Sequence, residues 1–145
     1  MSDPFELMRF VEAQNGVYER ALTELKQGLK ESHWMWFIFP QIEGLGRSST
    51  AHFYAIKSAH EAKAYLEHPL LGRRLIECSN TLLQHTGKSA SDIFGCPDDL
   101  KLKSSMTLFV SISESESVFS TVLGQYFTGQ LDQQTLALLK QQFLD

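Results

Sequence analysis

The chain has 145 residues, 43% hydrophobic and 21% charged, a balance that excludes a disordered polymer and provides for one buried core. Its formal charge of -4 excludes general nucleic-acid binding, which needs lysine and arginine dense enough to displace phosphate counterions. Met1-Ser2-Asp3-Pro4 carries no export signal and no apolar run approaches the roughly 20 residues that span a bilayer, so one cytoplasmic domain over residues 1–145, with no membrane attachment, is expected.

Asp3-Pro4-Phe5-Glu6 has the order of a capping acid, a proline at the first helical position and a glutamate that can reach back to the cap. It predicts a helix with Leu7, Met8 and Val11 on one face, stopped by Asn15-Gly16. Tyr18, Ala21, Leu22, Leu25 and Leu29 repeat at helical spacing through the next element. Trp34-Met35-Trp36-Phe37-Ile38-Phe39, ended by Pro40, fits a buried strand or a buried helix equally well on period alone. Ser58 to Glu61 has capping-box spacing ahead of Ala62, Tyr65 and Leu66, and Pro69 both follows the end of that helix and opens another, with Leu71, Leu75, Cys78 and Leu82 in one stripe.

Ser89 and Asp92 cap Ile93-Phe94-Gly95. From Met106 to Ile112 the apolar residues alternate as in a strand, yet Leu102, Met106, Phe109 and Ser113 fit a helix begun at Pro97, and the reading leans to helix. Ser111 to Ser117 reads as a loop, Phe119, Val122, Leu123, Tyr126 and Phe127 as a helix closed by Gly129, and Asp132 as the start of a last helix bearing Leu136, Leu139 and Phe143. The expected fold class is all-α, a compact multihelical unit of about seven or eight helices. Leu22, Leu25, Leu71, Leu75, Leu82, Phe119, Leu123 and Leu139 are its expected buried core.

Two groups of residues could carry chemistry. In the first, His33 can exchange a proton near neutral pH, Trp34 and Trp36 can stack on a planar ring, and Gln41, Arg47 and Ser48 flank a glycine-containing turn, Gly44-Leu45-Gly46. In the second, Lys101 offers an anion contact and Ser104, Ser105 and Thr107 offer hydrogen bonds. The weightier alternatives are structural: tryptophans in an apolar run are usually core, a lone histidine beside them is usually packed, and the second group is also a capped helix. The five histidines never fall four apart, Cys78 and Cys96 stand alone, and no Gly-x-Ser-x-Gly elbow occurs, so neither metal, cofactor, disulfide nor serine hydrolase is implied.

The segments Ser32 to Gln41, Tyr65 to Gly72 and Asp98 to Phe109 resemble an uncharacterised bacterial family, the domain of unknown function numbered eighteen-ten, over nearly the whole chain. The resemblance implies a small multihelical protein and resolves the two ambiguous segments towards helix; it brings no catalytic residues. The label calpastatin attached to some members does not fit, since a calpain inhibitor is a disordered repeat chain. A fainter resemblance links the two groups to NADAR proteins, which act on ADP-ribose-type N-glycosides, and implies only a class of ligand.

Two functions follow. One is a small-molecule protein holding a nucleotide- or ADP-ribose-like ligand between the two groups, with His33 as acid or base in reaction at an N-glycosidic bond. The other is a non-catalytic interaction or adaptor module, favoured by an exposed Trp34 or Trp36 with no hollow beside it. A helix-turn-helix DNA reader ranks last, for want of a basic recognition helix. Oligomeric state is left open.

Overall fold

Asp3 organises the start of the chain, its two carboxylate oxygens accepting the N–H groups of Leu7 and Met8 at 2.9 and 3.0 Å. The computed structural model describes residues 3–114 and 116–142. Helix α1 spans Met8–Gln14, four residues later than Pro4, because Glu6 stands at φ 55° and breaks helical continuity. The capping acid is correct, but the helix it caps begins beyond a turn. Leu7, Phe10 and Gln14 share the buried face, and Met8, a third of a turn away, is 53% exposed.

Helix α2, Tyr18–Gln27, buries Tyr18, Ala21, Leu22 and Leu25. Gly28 caps it at φ 76°, which carries Leu29 off the stripe and into solvent. Helix α3, Met35–Ile38, is a single turn inside the core; α4, Ser49–Tyr54, was not anticipated from periodicity and is capped by Ser48 Oγ, which accepts the Ala51 N–H at 3.0 Å. Helix α5, Ala59–Glu67, takes Ser58 as its cap, though Glu61 turns instead to the Lys57 N–H. Helix α6, Leu71–Leu82, begins two residues after Pro69, where His68 Nδ1 accepts the N–H groups of Leu70 and Leu71.

Helix α7, Ala90–Phe94, has the reciprocal Ser89–Asp92 cap. It is followed by α8, Asp98–Ser111, α9, Val118–Phe127, and α10, Gln133–Gln142. Phe143 lies outside the described residues. Among the described residues there are ten helices, more than the seven or eight expected, the surplus being short elements, and the sole β pairing is an isolated parallel bridge between Ile42 and Ile56.

Helix α8 is the axis of the packing, touching α5, α7, α9 and α10, while α6 packs on α2, α5 and α9. Every residue from Ser104 to Phe109 is buried. A helix enclosed on all sides carries no apolar stripe, which is why its sequence also reads as a strand. Aromatic contacts tie the layers together, from Phe10 edge-on to Tyr65 at 5.0 Å, through Phe109 to Phe119 at 5.6 Å for each step. The eight expected core residues are all buried.

Arg9 fixes the connection between α4 and α5. Its five N–H groups go to the carbonyls of Phe5, Glu6, Phe53 and Ala55 and to Glu61, 2.6 Å away. Among the described residues no helix is long and apolar enough to cross a membrane.

Candidate functional site

The Ile42–Ile56 bridge positions the loop that leads out of α3. The Ile56 N–H donates to Gln41 O and the Glu43 N–H to Ile56 O, both at 2.8 Å, and both isoleucine side chains are buried. Residues 41–46 are thereby held opposite the first turns of α8. Between that loop, α8 and the start of α10 runs a groove of about 260 Å³. Gln41, Leu45 and Gly46 line one side, Leu100, Lys101, Lys103 and Ser104 another, and Asp132 and Gln134 a third. A smaller hollow bordered by Trp36 and His52 shares Gln41 and Gly46 with it.

The two sequence groups meet here. Lys101 Nζ lies 5.3 Å from the centre of the Trp36 ring and 3.4 Å from Asp98 Oδ1. Asp98 Oδ2 is 2.9 Å from Lys30 Nζ, which in turn lies 5.1 Å from the centre of the Trp34 ring. Asp98 therefore stands between two ammoniums, each of which lies over an indole face on its other side.

The remaining candidate residues are placed differently. Trp34 is fully buried, its Nε1–H donating to Glu24 Oε1 at 2.9 Å, and it packs tilted against Phe39 and edge-on to Phe94 rather than on a ligand. Thr107 is buried and ties α8 to α10, donating to Lys103 O and accepting the Asp132 N–H. Ser105 is buried, with no hydrogen-bond partner for its Oγ among the described residues. Arg47 and Ser48 are exposed, Ser48 serving as the α4 cap. His33 is exposed, is neither the packed residue its neighbours suggested nor among the residues lining the groove. Gln41, Lys101 and Ser104 are thus the candidates brought together, with Trp36 beside them.

Sequence reasoning passed over Lys103, Gln134 and, above all, Asp132, which it read only as a helix cap. Asp132 Oδ2 does accept the Thr135 N–H at 3.1 Å, but it also accepts from Ser104 Oγ at 3.1 Å. Nothing local announces that second partner, 28 residues away. A larger hollow of about 530 Å³ near Phe5 and Phe53 has the Arg9–Glu61 pair in its lining. All five Arg9 donors and both Glu61 oxygens are already engaged by the protein, which marks that pair as structural. Among the described residues no group of three or more histidine, cysteine, aspartate or glutamate side chains could hold a metal ion.

Comparison with known proteins agrees with the resemblance to the domain of unknown function numbered eighteen-ten. Residues 4–139 match the family described as "Protein of unknown function (DUF1810)". The crystal structure of the conserved hypothetical protein Rv1873 from Mycobacterium tuberculosis superposes with a TM-score of 0.93 at 51% identity, covering 95% of this chain and 99% of that one. No curated protein matches. The chain belongs to the DUF1810 family.

Proposed function

We propose that this DUF1810 protein binds a small anionic ligand carrying a planar ring, of nucleotide type, in the groove between residues 41–46, α8 and the start of α10. The observation that carries the reading is that Lys101, which lines the groove, holds its Nζ 5.3 Å from the centre of the Trp36 ring beside it, joining a cation and an aromatic surface drawn from the two separate segments. Gln41 adds a polar group that orients an occupant, Ser104 holds Asp132 in place at 3.1 Å, and Lys103 adds a second ammonium with no ion-pair partner among the described residues. A few convergent polar groups in a concave site are the usual composition of a small-molecule pocket.

The adaptor alternative asked for an exposed tryptophan with no hollow beside it. Trp34 is in the core and Trp36 is half-buried against Lys101, so neither is the exposed tryptophan that reading needs. Binding is better supported than cleavage of an N-glycosidic bond, because His33, the acid or base that reading relied on, does not line the groove.

Thermal melts with adenosine nucleotides and ADP-ribose test the proposal. A ligand that binds only the folded state stabilises it by about 2.7 kcal/mol at a hundredfold excess over its Kd. Wild type is expected to respond, and Lys101→Ala and Trp36→Ala to respond weakly while keeping their helical circular dichroism. No shift with any of these ligands, or equal shifts in the variants, sinks the proposal. Release of free base from ADP-ribose or a nucleoside, followed by chromatography, decides the catalytic question separately.

A further inference from the structure

Asp132 is braced from behind by more hydrogen bonds than a helix cap needs. Its Oδ2 accepts from Ser104 Oγ at 3.1 Å, from the Thr135 N–H at 3.1 Å and from Thr135 Oγ1 at 2.5 Å. Its own N–H donates to Thr107 Oγ1 at 2.9 Å, and that hydroxyl is itself oriented by donation to Lys103 O at 2.8 Å. Among the described residues no group donates to Oδ1, although Asp132 lines the groove with Lys101 and Lys103. One carboxylate oxygen is therefore held by the protein, while its twin has no protein donor among the described residues.

The groove thus presents two unlike demands. Two lysines favour an anionic group, whereas a bare anion reaching Asp132 meets like charge. An occupant with an anionic end and a neutral end rich in hydroxyl donors satisfies both. Gln41 and Gln134, whose side chains make no hydrogen bonds among the described residues, add uncharged amides that suit hydroxyls as partners.

Resting on the nucleotide reading above, we infer that the groove selects ribonucleotides, with the phosphate at Lys101 and Lys103 and the ribose hydroxyls donating to Oδ1 of Asp132. A fixed carboxylate accepting from ribose hydroxyls is a recurrent solution to sugar recognition, because it rejects an analogue that lacks them by leaving its own oxygen unpaired.

Calorimetric titration of AMP, 2′,3′-dideoxy-AMP and pyrophosphate into wild type, Asp132→Asn and Asp132→Ser tests this. Asparagine and serine both serve as helix caps, so both variants are expected to fold, and their melting temperatures check it. Wild type should prefer AMP over the dideoxy analogue by about tenfold or more, as expected for hydrogen bonds to a charged acceptor. Both variants should lose that preference while binding pyrophosphate at least as tightly as wild type. Equal binding of AMP and its dideoxy analogue by wild type, or a preference that survives in both variants, overturns the role of Asp132 and leaves the nucleotide reading standing. If none of the three probes binds wild type, the groove reading itself fails and the inference fails with it.

Discussion

Glu24 offers the sharpest test of how the aromatic segment is held. Its carboxylate accepts the N–H groups of Glu31 and Ser32 at 2.8 and 3.0 Å, the Ser32 hydroxyl at 2.5 Å and the Trp34 Nε1–H at 2.9 Å. Burial acts to raise the pKa of this acid, but the donors, led by the Ser32 hydroxyl, outweigh it and hold the group at about 2, below the ordinary 4.5. Glu24→Ala orphans the indole N–H of a fully buried tryptophan, worth about 1–3 kcal/mol, and returns the partly exposed loop donors to water at a smaller cost. The expected loss is about 3 kcal/mol, or roughly 10 °C in Tm for a domain of this size. Glu24→Gln keeps one accepting oxygen and should lose about half as much.

Urea titration followed by tryptophan fluorescence and by circular dichroism measures both variants. Because the folded-state pKa is depressed, the stabilisation is fully present above pH 4.5 and is lost as pH falls through about 2. The gap between wild type and Glu24→Gln should therefore narrow across that window. A Glu24→Ala loss below about 1 kcal/mol, or a gap that stays constant down to the acid end, refutes the account.

Gly72→Ala should be among the most damaging substitutions of the chain, about 3 kcal/mol or more, because a Cβ there would lie 1.9 Å from the backbone oxygen of Leu66; a melt within a few degrees of wild type would contradict it. Arg9→Met strips the clamp from four carbonyls and leaves Glu61 without its ion-pair partner, so a loss of about 3–5 kcal/mol by denaturant titration is expected, and a near-neutral result would show the clamp to be dispensable. Cys96 is exposed, whereas burial pushes the Cys78 thiol up to about 12, so a thiol reagent should label one cysteine in the native protein and two after unfolding. Cys96→Ser should abolish the native reaction; labelling of Cys78 under native conditions would mean that the core opens there.

Local chemistry made much of the secondary structure legible. Ser58, Ser89 and Asp132 announce helix starts because a cap involves residues only three apart, and Leu71, Leu75, Cys78 and Leu82 announce a buried face because one side of a helix recurs every three or four residues. The same logic failed where packing overrides periodicity. Helix α8 is enclosed all round from Ser104 to Phe109 and so has no stripe there, α3 and α4 are too short to establish a period, and the turn at Glu6 delays α1 although its capping acid is where the sequence places it. The groove was decided by tertiary structure. Trp34 and Trp36 have the same residue type two positions apart, and only the core around Phe39, Phe94 and Glu24 sends one indole inward and leaves the other beside Lys101. Gln41, Lys101, Ser104 and Asp132 converge because the Ile42–Ile56 bridge and the Ser104–Asp132 bond close loops that no local pattern records. A sequence fixes what each residue can do with its near neighbours; which distant residue it faces is set by how the helices fill the core together.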